Sequence, residues 1–254
     1  MKLRIDKLLV ERGLVPSRER AQALILAGKV LVDEQKVEKP GTAVGELAKI
    51  RLLGEDLRYV SRGGLKLEAA LRHWEIDVTG KVCLDVGAST GGFTDCLLQH
   101  GARKVIAVDT GYGQIDFKLR SDERVRPLEK TNARYLKAED VGEAIDLIVM
   151  DVSFISATLV LPAVVSATRA FGGSPALVVL VKPQFEVGRE LVGKGGIVRD
   201  VEAQRAAVKK VQSAISELGL EVGEEIESPI LGTEGNREFL VYGRATVTAD
   251  GSLR

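Results

Sequence analysis

Short apolar runs with almost no polar interruption recur from Val82 onward, and amphipathic stretches lie between them. The runs predict strands at 82–86, 105–109, 145–151, 176–181, 220–228 and 239–244; the stretches predict helices near 65–74, 92–100, 156–170 and 201–218. A strand that is apolar at every position has no face to give to water, so both of its faces must be covered. Strands of that kind alternating with helices predict a parallel, doubly wound α/β sheet with helices on both sides. Ligands bind such sheets beyond the carboxyl ends of the strands.

The chain before this alternation reads differently. Ile5, Leu8 and Leu9 recur at helical spacing after Arg4 and stop at Gly13, while Ser17 is a candidate N-cap for a second helix. The apolar stripe of that helix, Ala21, Leu24, Ile25 and Ala27, ends at Gly28. Val30, Val32 and Val37 around Asp33 and Glu34 predict a hairpin, and 49–53 a further strand. A charged segment with a glycine pair, 54–64, separates this small α+β unit from the rest. The expected division is a small domain at 1–57, a linker at 58–64 and a larger domain at 65–248, which 254 residues can accommodate.

The net charge is zero but unevenly spread: residues 1–72 carry 15 Lys and Arg against 10 Asp and Glu, the remainder 21 against 26. The basic end is the better contact for a polyanion. The best apolar stretch, 175–181, is strand length, far below the roughly 18 to 20 residues of a membrane span. Charges at Lys2, Arg4, Asp6 and Lys7 with no apolar region behind them do not make a signal peptide. A cytoplasmic protein without a membrane partner is expected. Cys83 and Cys96 form no CxxC pair, and His73 and His100 are the only histidines, so no metal is expected and both cysteines read as reduced core thiols. Trp74 reads as core.

The first strand runs into Asp85-Val86-Gly87-Ala88-Ser89-Thr90-Gly91-Gly92-Phe93-Thr94, and a helix follows. Glycines let a backbone turn tightly and approach a ligand, and a helix N-terminus offers N–H groups to a carboxylate or phosphate. A nucleotide-like ligand is implied, although neither the GxGxxG fingerprint nor the GxxxxGK[ST] phosphate loop is present. Asp109, closing the second strand, is placed to accept hydrogen bonds from ribose hydroxyls, with a strand-end turn residue as the alternative. Phe93 packs near the ligand or anchors its helix. Asn132 contacts an adenine edge or caps a turn.

Residues 84–114, LDVGASTGGFTDCLLQHGARKVIAVDTGYGQ, resemble the S-adenosylmethionine site of the FtsJ-like methyltransferases, and specifically of the TlyA or hemolysin A family. The run Tyr59-Val60-Ser61-Arg62-Gly63-Gly64-Leu65-Lys66-Leu67 and nearly the whole chain share in the likeness. The resemblance implies a Rossmann-like class I methyltransferase sheet behind a small α+β S4 domain. It implies S-adenosyl-L-methionine as cofactor, held by Asp85, Gly87, Ala88, Ser89, Thr90, Gly91, Gly92, Phe93, Asp109 and Asn132. It also implies a catalytic set of Lys66, Asp151, Lys182 and Glu238. The segments Arg4-Ile5-Asp6-Lys7-Leu8-Leu9 and 17–33 resemble the S4 RNA-binding fold, in which Arg4, Arg18, Arg20 and Lys29 would contact phosphates of structured RNA without reading sequence. A solvated helix face is the alternative. The hairpin departs from the family, having Asp33-Glu34-Gln35 where Asn-Gly or Asp-Gly is common. The linker departs too, with Arg58-Tyr59-Val60-Ser61 in place of the tryptophan-containing stretch of some relatives.

Taken singly, Lys66, Asp151, Lys182 and Glu238 read as helix, strand-end and surface residues. Hydroxyl methylation gives the set a purpose. A ribose 2'-hydroxyl is a poor nucleophile until its proton is being removed, and the methyl donor requires close in-line attack. Burial and a neighbouring cation ease deprotonation of a lysine, so Lys182 is the expected base, Lys66 stabilises the developing alkoxide, and Asp151 and Glu238 orient the two. Base N-methylation is disfavoured, because Asp151-Val152-Ser153-Phe154 is not an (Asn/Asp)-Pro-Pro-aromatic turn. Pyrimidine C5 methylation needs a reactive cysteine, and Cys83 and Cys96 sit in a strand and a helix. Gln184, Phe185, Glu186 and Gly188 shape the target side, and 193–196 reads as a mobile loop. The expected substrate is cytidine ribose of ribosomal RNA within a ribosomal subunit. A non-catalytic assembly factor and a membrane-active hemolysin are the competing readings.

Overall fold

A computed structural model describes residues 2–15, 17–53, 58–172, 174–232 and 235–245. Residues 54–57 of the expected linker region and the expected domain end at 248 lie outside the described residues. The chain forms two compact units, 1–58 and 59–254.

The first unit contains β1 (Lys2–Arg4), α1 (Ile5–Glu11), α2 (Arg18–Leu26), β2 (Val30–Val32), β3 (Gln35–Lys36), β4 (Ala43–Gly45) and β5 (Ile50–Leu52). β1 pairs antiparallel with β4, and β2 lies between β3 and β5. Ile5, Leu8, Leu9, Ala21, Leu24, Ile25, Val30 and Val32 form its core. Ser17 caps α2 as its position suggests, its Oγ accepting a hydrogen bond from the Arg20 N–H at 3.2 Å. The β2–β3 turn is a two-residue loop in which Asp33 (φ 50°) and Glu34 (φ 62°) both take the left-handed conformation that usually calls for Asn-Gly. Asp33 compensates locally, because its Oδ1 accepts from the Lys49 N–H at 2.9 Å, and Glu34 pairs with Arg51 on β5.

In the second unit come α3 (Gly63–His73), β6 (Val82–Val86), α4 (Gly92–Gln99), β7 (Lys104–Val108), α5 (Phe117–Arg120), β8 (Val125–Leu128), α6 (Ala138–Val141), β9 (Leu147–Met150), α7 (Leu161–Arg169), β10 (Ala176–Val181), α8 (Pro183–Glu186), α9 (Val201–Glu217), β11 (Leu220–Val222), β12 (Ile226–Glu227) and β13 (Phe239–Ala245). The sheet order is β11-β13-β10-β9-β6-β7-β8, with β12 beside β13. Alternate residues of each central strand serve opposite cores. Leu84, Val86, Ile148, Met150, Leu177 and Val179 pack with residues of α7 and α9, whereas Cys83, Leu147, Val149, Val178 and Leu180 pack with Leu67 and Leu71 of α3 and Leu97 of α4. Such burial stabilises by about 1.5–3 kcal/mol per large aliphatic side chain, and it is why these strands are apolar at every position.

The sheet is parallel from β10 through β8, but β13 runs antiparallel beside β10 and carries β11 and β12 antiparallel on its other side, which corrects the all-parallel expectation. The single run expected at 220–228 is therefore two short strands, β11 and β12. β8 is an edge strand that the sequence reading omitted, since Arg126 and Pro127 break its apolar run; an edge is where a proline costs no ladder bond. The helix expected at 156–170 is a 3₁₀ turn, Ala157–Leu159, followed by α7, with Pro162 near the N-terminus where its missing N–H is harmless. Gly63 and Gly64, assigned above to the linker, form the first turn of α3: a Cβ at Gly64 would fall 2.3 Å from the Tyr59 ring.

Candidate active site

β6 delivers the chain into the glycine loop at Gly87 (φ 87°), where a Cβ would lie 2.5 Å from the Asp151 carbonyl oxygen beyond β9. Gly91 (φ 96°) then caps α4 through backbone alone, and a Cβ at Gly92 would meet Ser61 Oγ at 2.2 Å. The loop is thus wedged between the end of β9 and the start of α3, closer than any side chain would permit.

Two cavities flank it at the carboxyl ends of the strands. One, of about 290 Å³, is lined by Ser61, Arg62, Lys66, loop residues Gly87, Ala88, Ser89, Thr90, Gly92 and Phe93, and by Asp151, Ser153, Lys182, Ile230 and Glu238. The other, of about 300 Å³, is lined by Asp109, Thr110, Gln114, Thr131, Asn132 and Phe154 among others. Gly87, Ser89, Asp151 and Ser153 border both, so the cleft has two lobes.

All four residues of the expected catalytic set line the first lobe, as two ion pairs. Lys66 in the first turns of α3 pairs with Glu238, just before β13, and both are buried. Lys182, closing β10, lies 2.6 Å from Asp151 Oδ1 and donates a hydrogen bond to Ser153 Oγ at 2.7 Å. The Lys182 side chain is only 11% exposed, so most of it is withdrawn from water.

The residues expected to hold a cofactor divide. Asp109 lines the second lobe, its oxygens already accepting from Ser89 N–H at 2.8 Å and Gly111 N–H at 2.7 Å, each with a further lone pair for a hydroxyl donor. Asn132 caps the 3₁₀ turn Ala133–Tyr135, its Oδ1 accepting from the Arg134 N–H at 3.0 Å, and it also borders the second lobe. Phe93 is buried against the α3 side of the sheet and also edges the first lobe. Gly91 borders neither lobe and serves the turn. Asp85 borders neither, a correction to its expected contact role: its side chain is wholly buried, Oδ2 accepting from Thr94 Oγ1 at 2.6 Å while Oδ1 has no hydrogen-bond partner.

Burial pushes the Asp85 carboxyl up to about 7, opposed by the Thr94 hydrogen bond and assisted by Asp151 and Asp109. A carboxyl raised on folding keeps its proton in the native state after the unfolded chain has lost its own, so the Asp85 contribution to native stability falls as pH rises from about 4 to about 7 and is level beyond. Asp85→Asn should remove that slope and raise stability at pH 8 by on the order of a few kcal/mol. Urea unfolding of both proteins at pH 5 and pH 8 tests this; equal differences at the two pH values would show that Asp85 is ionised throughout.

In the first unit, the four basic residues do not form a simple row. Asp6, fully buried, accepts from Arg4 at 3.0 and 2.9 Å, from Arg18 Nε at 2.9 Å and from Gln22 at 3.2 Å. The Arg4 guanidinium above all, against the cost of burial and with help from Arg18 and Gln22, holds the Asp6 carboxyl well below the usual carboxylate range. Arg4 and Arg18 nonetheless leave about half of each side chain exposed. Lys29 is exposed beyond Gly28, and Arg20 is half-buried in the first turns of α2.

Ser61, Arg62, Gln114, Ser153 and Phe154 also line the cleft, which nothing in their local sequence pattern sets apart except at Phe154. Phe154 had a signal, an aromatic three residues after the strand-end aspartate; it is 92% exposed at φ 64° and rests on Phe185 at 5.3 Å between ring centres. Glu186 is a buried brace, accepting from Ala157 N–H at 2.7 Å and pairing with Lys210 of α9. The loop expected to be mobile at 193–196 is tied to Asn236, whose amide donates to Gly196 O at 2.8 Å and accepts from Val198 N–H at 2.9 Å. Cys83 and Cys96 are buried free thiols, and burial, reinforced by Asp146, pushes Cys83 up to about 12, away from nucleophilic use. Trp74 is half-buried, stacked on Tyr242.

The sequence profile of the FtsJ-like methyltransferases matches residues 59–245 of this chain, and that of the S4 domain matches residues 3–46. The chain belongs to the FtsJ-like methyltransferase family. It is 46% identical over 242 residues to the 16S/23S rRNA (cytidine-2'-O)-methyltransferase TlyA of Mycobacterium tuberculosis, covering 95% of this chain and 89% of that protein. It is 41% identical to a protein named Hemolysin A from Brachyspira hyodysenteriae, covering 94% of this chain and 99% of the other. A Streptococcus thermophilus structure solved under a hemolysin name superposes with a TM-score of 0.72 at 42% identity, covering 95% of this chain and 88% of that one. Among the described residues no helix is long and apolar enough to cross a membrane, and no group of three or more His, Cys, Asp or Glu is arranged to hold a metal ion.

Proposed function

We propose that this family member transfers the methyl group of S-adenosyl-L-methionine to a ribose 2'-hydroxyl of ribosomal RNA, with cytidine as the target nucleoside, as a cytoplasmic enzyme that meets the RNA within a ribosomal subunit. The observation that carries the reading is the convergence of two lysine–carboxylate pairs in one lobe of a cleft whose other lobe holds Asp109. The names of the rRNA-modifying relatives supply the nucleoside.

A molecule with an amino-acid end and a nucleoside end suits a two-lobed cleft. Asp109 and Asn132 would hold the nucleoside end, and the loop from Gly87 to Thr90 with the start of α4 the amino-acid end. When bound, S-adenosylmethionine supplies an electrophilic methyl group. Lys182, in its neutral form, accepts the proton of the 2'-hydroxyl, and the carboxylate of Asp151 stabilises the ammonium that results. Lys66, its charge held in place by Glu238, faces the oxygen as negative charge grows on it. The exposed ring of Phe154, which borders the second lobe one residue after Ser153, offers a stacking face for the target base.

The decisive experiment incubates the protein with labelled S-adenosylmethionine and ribosomal subunits from cells lacking it, followed by ribose-methylation mapping. Label at a cytidine 2'-oxygen is expected. Absence of label with intact RNA binding would favour the non-catalytic assembly factor.

On the S4 unit, Lys29→Ala should weaken RNA association by a similar factor for any sequence and reduce the salt-dependence slope by about 1, without changing stability. Arg18→Ala should lower affinity and stability together, because buried Asp6 loses a partner. Filter binding across a salt series, paired with thermal melts, separates the two; a Lys29 variant with an unchanged slope would remove that residue from the RNA face.

A further inference from the structure

An exposed serine ordinarily satisfies its hydroxyl with water, yet Ser153 accepts the one hydrogen bond that Lys182 makes among the described residues. The two partners of Lys182 contribute differently. Asp151 Oδ1 is close, at 2.6 Å, but the contact lacks the alignment of a hydrogen bond, so it supplies charge. Ser153 Oγ at 2.7 Å supplies direction. Ser153 sits one residue before Phe154, whose positive φ sharply turns the chain at the rim of the cleft. A non-glycine residue in that conformation costs free energy and recurs at functional sites.

We propose that Ser153 is the positioning residue of the catalytic base: by engaging one N–H of Lys182 while Asp151 flanks another side, it aims the remaining tetrahedral position of the amine into the cleft. The inference rests on the reading of Lys182 as base. In the step it serves, the O–H bond of the ribose breaks, its proton joins the nitrogen lone pair, and the oxygen's electron pair forms the new bond to the methyl carbon. The methyl–sulfur bond breaks, leaving its electron pair on sulfur and a neutral thioether. Only a lone pair pointing at the hydroxyl can take the proton during attack. The other charged groups bordering the lobe are Arg62 and Lys66 at the start of α3 and Glu238 before β13, none of which is altered in a Ser153 variant.

Losing position and altering proton affinity have different signatures. A serine that acted only through proton affinity would, when removed, mainly shift the pH at which the rate reaches its plateau. A serine that positions should, when removed, lower the plateau itself.

The test uses the full chain as wild type, Ser153→Ala, Ser153→Thr and Lys182→Ala. Single-turnover methylation of ribosomal subunits is followed across pH. S-adenosylmethionine affinity is measured by calorimetry. Ser153→Ala should lose up to about 10²-fold in plateau rate, the scale of a misplaced reacting group, with unchanged cofactor affinity. Ser153→Thr, which keeps the hydroxyl, should recover most of the rate. An unchanged rate in Ser153→Ala, a loss abolished by raising pH, or a threonine variant no better than alanine each overturns the proposal while leaving the base intact. Full activity in Lys182→Ala would instead remove the base reading, and this inference with it.

Discussion

Lys182→Ala is expected to leave S-adenosylmethionine affinity nearly unchanged and to reduce single-turnover methylation by roughly 10²- to 10⁴-fold, the loss typical of a missing general base. The separation follows from where the amine lies. It borders the lobe that also holds Lys66 and Glu238, not the lobe of Asp109 and Asn132, so the target hydroxyl loses its proton acceptor while the nucleoside contacts remain. Truncation also leaves Asp151 without its cation. Because Asp151 keeps about a fifth of its side chain exposed, water can solvate it and the fold should survive. Lys182→Arg is the sharper variant. A guanidinium stays protonated at any working pH, so it keeps the charge beside Asp151 and cannot accept a proton. Arginine should be as inactive as alanine in rapid-quench assays. Near-wild-type turnover in that variant would make Lys182 an electrostatic stabiliser and move the base elsewhere.

Gly87→Ala should damage the fold and the cofactor site together, and Gly87→Val more so. The added Cβ meets backbone, with Asp151 O at 2.5 Å, Asp151 C at 2.9 Å and Val152 N at 3.2 Å, and φ is 87°. Backbone cannot rotate away as a long side chain can, so the β9 turn must shift, at a cost of about 2–5 kcal/mol for the strained conformation and the overpacking combined. That shift displaces Asp151 and Ser153, which border both lobes. The expected result is a melting temperature several degrees lower and no calorimetric heat with S-adenosylmethionine at concentrations that saturate the wild type. A folded Gly87→Val protein with wild-type cofactor affinity would show that the loop does not border the cofactor. The clash is with the backbone of the strand-end turn.

Much of the fold was legible locally. An apolar residue at every strand position requires cover on both faces, and Cys83 with Leu84, or Leu147 with Ile148, do face opposite cores. The glycine loop was legible because positive φ and close approach leave few residue choices. β8 and the antiparallel β13 were not, since an edge strand tolerates Arg126 and Pro127, and strand direction depends on a partner far away in the chain.

By itself the sequence determined the double winding, the glycine turn and which residue types close the strands, because burial periodicity and backbone conformation are properties of neighbouring residues. Only the tertiary structure decided how the charged groups divide. Lys66 and Glu238 are 172 residues apart and meet because β13 enters the sheet beside β10, placing the residue before it against the first turns of α3. Asp85 and Asp109 look alike as acidic residues at the ends of neighbouring strands, yet one is sealed under α4 against Thr94 and the other opens onto a cavity. Ser153 and Asp151 acquire their relation to Lys182 through the parallel pairing of β9 with β10. Ion pairing and desolvation depend on distance in space, and chain spacing carries no record of it until the sheet has formed.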